Sequence, residues 1–225
     1  MQALALDDTL AEAHTVLASL LFSCDWNWTA AEREFQRALE LNPGYATAHV
    51  RYALYLRAMG RAEEGRREEE RSREMDPVSL FLNPEKALEM DPNYARAHIS
   101  SGRSYERKRM FKEAIAEFQK AMALSERSPE VLADLGYLYA AAGQRDEALR
   151  VLNELRALAQ HRYVLPYYPA VIYAGLGEKD LAFLWLEKAY TERAGQLAQL
   201  KMTPRFDRLR ADPRFADLVR RVGLP

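Results

Sequence analysis

A period of thirty-four residues runs through this chain, and it limits the possible folds more than any other feature. Gly102, Gly136 and Ala170 stand thirty-four apart, as do Tyr105, Tyr139 and Tyr173. Ala114, Ala148 and Ala182 keep the step, and so do Phe118, Leu152 and Leu186, and Ala121, Leu155 and Ala189. Upstream, the pairs Ala31 and Gly65, Ala38 and Ser72, and Pro43 and Pro77 repeat it. Self-similarity at such a period marks a unit that cannot bury its apolar face alone and must stack on copies of itself. Within each copy the apolar residues recur at i, i+3, i+4 and i+7 in two stretches, the spacing of amphipathic helices. Gly60, Gly143 and Gly177 separate the stretches, where a helix end takes a left-handed residue. Each copy is therefore expected to be a helical hairpin, and the fold class is all-α.

The stretch 95–124 has Gly102, Tyr105, Ala114, Phe118 and Ala121 at offsets that resemble the tetratricopeptide repeat, and the resemblance covers nearly the whole chain. It implies a solenoid of antiparallel helix pairs wound as a right-handed superhelix, and a non-catalytic scaffold that binds a protein or peptide on its concave face. The first copy, from Ala11 to Pro43, carries one extra residue in its inter-helix turn, "CDWNWTAA", and Trp26 and Trp28 are expected to plug the widened turn. That copy and the tail "YAGLGEKDLAFLWLEKAYTER" also look like helical-repeat regions attached to bacterial serine/threonine kinases, winged-helix transcription regulators and adenylyl cyclases. None of those catalytic or DNA-binding modules is present here. "MQALALDD" reads as the end of a preceding repeat's second helix. An alternative reading is thus a detached sensory or regulatory region of such a kinase or regulator.

One repeat is broken. The repeat-ending prolines Pro77 and Pro92, each in "MDP", are separated by fifteen residues rather than thirty-four. A first helix and part of a second are missing. The remnant "NPEKALEMD" retains Asn83 as an N-cap and Pro84 at the first helical position, so a short helix is still expected. Leu80, Phe81 and Leu82 lose their partner helix, which makes this joint the weakest part of the array and a route to self-association. The helix before it, 61–74, carries Glu69 where other copies have Phe118 or Leu152, and its charge run reads as a solvated face. The expected organisation is an N-terminal repeat block at 1–77, the truncated joint at 78–94, three repeats at 95–200 and C-terminal capping helices at 201–225. In that cap, "TPRFDRLRADPRFADL" repeats Pro-Arg-Phe at 204–206 and 213–215, and Phe206, Leu209, Phe215 and Leu218 are expected to cover the end of the array.

Motifs with chemistry are sparse. No phosphate loop, dinucleotide fingerprint, nucleophile elbow or zinc-protease pair occurs. His14, His49 and His98 recur in "AEAH", "ATAH" and "ARAH", the bulky packing position of successive first helices. Zinc needs ligands about 2 Å from one ion, and a whole repeat separates these rings, so they read as packing residues rather than metal ligands. Cys24 is the lone cysteine; it fits a cytoplasmic location and equally a periplasmic protein without disulfides. No apolar run reaches the length of a membrane span. The formal charge of −1 argues against a nucleic-acid partner. RNA binding by a pentatricopeptide-like array is the reading from another class, and the charge balance and apolar groove floor speak against it. No cofactor and no enzymatic activity is expected.

The resemblance implies a groove lined by first-helix residues: Arg96, Ile99, Arg103, Glu106 and Arg107, then Glu130, Ala133, Tyr137, Ala140 and Ala141, then Val171, Ala174 and Gly175. In this last copy the pattern also reaches Val164 and Tyr167, where Pro166 and Pro169 are expected to delay the helix start. Arg96, Arg103 and Arg107 share one stripe of one helix, beside a pocket of small residues around Tyr137. The expected ligand is an acidic peptide or protein segment with an apolar anchor. Thr15 and Ser19 stand where some family members carry a Lys and Asn carboxylate clamp, so no chaperone-tail clamp is expected.

Overall fold

The computed structural model describes residues 8–76, 84–125 and 128–225. Its chain forms two compact units: Met1–Pro77 with Tyr190–Thr203 and Arg214–Pro225, and Val78–Ala189 with Pro204–Pro213. The described residues are helices and their connections, arranged as an all-α solenoid of antiparallel pairs. Leu80, Phe81, Leu82 and Asn83 of the broken repeat lie outside the described residues.

In the first unit, α1 (Ala11–Leu20) pairs with α2 (Trp28–Leu41), and α3 (Ala46–Ala58) with α4 (Ala62–Met75). The extra residue of the first copy is taken up by a π-turn at Leu21–Asp25. A π-turn is a one-residue insertion that leaves the helix register on either side intact. It ends with Trp26 in the left-handed region (φ 52°), and the Asn27 N–H reaches back to the Leu21 carbonyl at 2.9 Å. Trp28 meets Phe22 edge-on at 5.9 Å, and Trp26 packs on Tyr190 at 5.5 Å with the Arg193 guanidinium over its ring. The two tryptophans fill the turn, and returning C-terminal residues complete its wall. There a 3-10 turn, Gly195–Gln199, buries Leu197 and Ala198. A Cβ at Gly195 would come 3.0 Å from the Ser23 carbonyl oxygen, which explains the glycine. α12 (Pro213–Val222), all but its first residue in this unit, buries Phe215, Leu218 and Val222.

The charged helix α4 turns Gly65, Glu68 and Ser72 inward. It is held by polar contacts where the other second helices use large apolar side chains: the Ser72 hydroxyl donates to the Ala46 carbonyl at 3.0 Å, and Glu68 faces His49. Its surface pairs, Glu63–Arg66, Arg61–Glu64 and Glu68–Arg71, are mostly one turn apart at i,i+3.

In the second unit the helices are α5 (Pro84–Met90), α6 (Ala95–Arg107), α7 (Phe111–Leu124), α8 (Pro129–Ala141), α9 (Arg145–Leu158), α10 (Tyr167–Leu176) and α11 (Lys179–Thr191), the last two residues of α11 belonging to the first unit. α5 is the remnant of the broken repeat. It starts at Pro84, and its buried Ala87 stands thirty-four residues before Ala121, so the last turns of a second helix survive and pack on α6. Ala114, Phe118, Ala121, Ala148, Ala182 and Leu186 are all fully buried. Gly102 allows the Phe118 ring to lie against the backbone of α6; a Cβ there would come 2.7 Å from the ring.

The three repeated histidines are buried, and each joins its two helices. His14 Nδ1 faces Glu34 at 2.6 Å, His49 Nδ1 faces Glu68 at 2.5 Å, and His98 Nδ1 faces Glu117 at 2.7 Å. In every case Nε2–H donates to a carbonyl six residues back, of Asp8, Pro43 or Pro92. A carbonyl can only accept, so Nε2 carries a hydrogen, and the short contact at Nδ1 holds a further proton between ring and carboxylate. One imidazole thus ties the turn before its helix to the second helix of the same repeat.

Gly60, Gly143 and Gly177 take φ of 77–79° at the inter-helix turns, as their positions required. In the hairpin of α6 and α7 that place falls to Arg109, with φ 60°. A left-handed non-glycine residue costs about 1 kcal/mol. Arg109→Gly is therefore expected to raise the stability of the chain by up to about 1 kcal/mol, offset in part by the looser unfolded chain. A urea melt in which this variant unfolds at lower denaturant than the parent would contradict the assignment.

A candidate partner-binding face

The first helices of the second unit, α6, α8 and α10, share a face that residues 204–209 cross. This segment is a 3-10 turn, Pro204–Leu209, with Phe206 and Leu209 fully buried. Phe206 meets Tyr167 of α10 edge-on at 5.7 Å. Arg205 reaches further back along the array. Its Nε and Nη2 donate to the two oxygens of Glu106 on α6 at 2.7 and 2.6 Å, and its Nη1 donates to Asp134 of α8 at 2.5 Å. The guanidinium lies over the Tyr137 ring, 4.9 Å from its centre. Arg208 donates from Nη1 to the Gly175 carbonyl at 2.8 Å. The reading of the tail as a cover for the end of the array accounts for Phe206 and Leu209; it did not include this extension over α6 and α8.

Planar guanidinium and carboxylate match as two parallel hydrogen bonds, and a ring face beneath adds cation–π attraction. Burial works against the charge of Arg205, whose side chain is only 12% exposed, yet Asp134 and Glu106 more than compensate and hold it charged well above the ordinary range. Burial also pushes the Tyr137 phenol up. Tyr168 is pushed up to about 12, by burial first and then by Glu130 and Asp134.

The other residues read as groove-lining divide into four groups. Arg103 is half-buried and already engaged: its Nη2 donates to Glu130 at 2.5 Å and to the second oxygen of Asp134 at 3.1 Å. Arg96 and Arg107 are exposed, the latter beside a cavity of about 360 Å³ that also touches Glu106, Tyr137 and Gly175. Ala133, Ala140 and Val171 are buried in the helix packing, and Ile99 is partly buried against the Phe118 cluster. Glu106, Ala141, Ala174 and Gly175 do line the face, and α10 begins at Tyr167. Asp134 was missed by sequence reasoning. Arg103 is paired with carboxylates, and the group held most tightly on the face is the chain's own guanidinium of Arg205.

Two family models described as tetratricopeptide repeat match the sequence, at residues 27–79 and 107–165. With the period, the helical hairpins and their stacking, these matches make the chain a tetratricopeptide-repeat protein. No curated protein sequence matches it. Among solved structures it is similar to one described as a functional characterisation of Pseudomonas aeruginosa PilF, at 17% identity over 96% of this chain and 92% of that one, with a TM-score of 0.41. Tetratricopeptide repeats in general mediate protein–protein contacts and act as non-catalytic scaffolds. No helix among the described residues is long and apolar enough to cross a membrane.

Proposed function

We propose that this chain is a non-catalytic interaction scaffold and that the first-helix face of its second unit, on α6, α8 and α10, binds a segment of a partner protein. A single observation carries this reading: a stretch of polypeptide, residues 204–209, already lies on that face with an arginine in a socket of two carboxylates and a ring. Backbone, charge and aromatic surface there have the arrangement that a peptide needs. The types that recur at binding hot spots, Tyr and Arg, are both at its centre.

A photo-crosslinking amino acid at position 141, on this face, is expected to capture a discrete protein in cells that express the chain. The same amino acid in place of Arg150, exposed on the second helix α9, is expected to capture none. Crosslinks from position 150 with none from position 141 would move the binding surface elsewhere.

A further inference from the structure

We infer that the socket formed by Glu106, Asp134 and Tyr137 reads arginine, that the chain's own Arg205 occupies it as an internal competitor, and that the partner segment enters with an arginine followed by an aromatic residue. This rests on the proposed role of the face and specifies the chemistry of its ligand. Three carboxylates, Glu106, Glu130 and Asp134, surround the site, with Arg103 as their resident cation. Arg107 and Arg109 line the adjoining cavity, but it is Arg205 that donates to both oxygens of Glu106 and to one of Asp134, so its removal takes these hydrogen bonds from two carboxylates next to an aromatic ring. Lysine cannot fill such a site equally well. Its ammonium is a single point, whereas here three nitrogens of one fork meet three oxygens from two helices. The next residue of the ligand is specified too, because Phe206 is fully buried against Tyr167.

The internal segment leaves room. The cavity of about 360 Å³ beside Arg205 is bounded by Arg107, Phe111, Ala141 and Ala174, so a longer segment gains contacts that residues 204–209 do not make. A competitor that matches the anchor but not the rest of the surface sets a threshold: a ligand must exceed it before it binds. The sequence carries Pro-Arg-Phe a second time at 213–215, but there Phe215 is buried in the first unit, so the tripeptide alone does not determine its place.

The test uses a fluorescein-labelled peptide of residues 202–213 and fluorescence polarisation with the full chain. Arg205→Ala/Phe206→Ala, which empties both the socket and the seat against Tyr167, is expected to bind the peptide at least ten-fold more tightly than the parent, in which both are filled. A peptide with lysine in place of its arginine is expected to bind that variant at least ten-fold more weakly. Arg205→Lys/Phe206→Ala keeps the charge of the segment and provides a second chain on which the same ranking holds, the fold of both variants being checked by circular dichroism. Equal affinity of parent and variants, no binding to a folded variant, or indifference to lysine would each overturn the inference. Crosslinking from position 141 tests the face itself independently of this result.

Discussion

Replacing Asp134 with alanine is expected to lower the unfolding free energy by about 4 kcal/mol, read from a urea melt. The carboxylate is 4% exposed and gives one oxygen to Arg205 and the other to Arg103. Its removal leaves the buried Arg205 held by Glu106 alone and takes the acceptor from its Nη1, and breaking a buried ion pair by removing one partner costs several kcal/mol. Against a total stability of about 5–15 kcal/mol, that is a substantial share. Glu130→Ala is the control. Its side chain is 52% exposed and shares Arg103 with Asp134, so its loss should cost no more than about 1 kcal/mol. Equal effects of the two substitutions would show that the buried carboxylate is not the anchor of this face.

The second large effect concerns the His98–Glu117 pair. His98→Leu and Glu117→Val are each expected to cost about 3 kcal/mol, because each strands a buried partner. The double variant is expected to cost less than either single change, and the next repeat shows why. Thirty-four residues on, the same two positions hold Leu132 and Val151, which pack in one apolar cluster. What the double variant still loses is the hydrogen bond to the Pro92 carbonyl, about 1 kcal/mol. A double-mutant cycle with no coupling would refute the pairing. The pair also gives a pH signature. Burial raises the Glu117 carboxyl, but hydrogen bonds from His98 and Lys120 outweigh this and hold it below its usual range. A lowered folded-state value means that the contribution is fully present above the ordinary Glu value near 4.3 and is lost as pH falls through the folded value. The double variant should lose that part of the acid slope.

The helical hairpins were legible because the repeat displays the same physical requirement in copy after copy. Small residues at 114, 148 and 182, glycines at 60, 143 and 177, and Trp26 and Trp28 at the widened turn all do what their spacing required. The His–Glu ties were also within reach. The intervals His49–Glu68 and His98–Glu117 are nineteen residues, and His14–Glu34 is twenty, longer by the one residue of the π-turn. Arg205 was not legible. It lies 99 residues from Glu106 and 71 from Asp134, outside the repeat register, and no period links an irregular tail to a helix face. The pairing of Arg103 escaped the sequence reading for a related reason. Three arginines on one helix were considered without Asp134, which lies off the family's groove offsets and takes up Arg103 from the next repeat.

The composition of the first unit has a consequence for the order of synthesis. A chain leaves the ribosome from its N-terminus, and domains usually fold as they emerge. Here α1 and α2 are made early, while the residues that pack against their π-turn, Tyr190, Gly195 and Ala198, come at least 164 residues after Trp26. Gly223, whose Cα lies beside the Trp28 indole, comes later still. The entire second repeat block must therefore be translated before the first unit can close. During that interval Phe22 and both indoles lack part of their final cover, so these early-made residues are among the last to be finished.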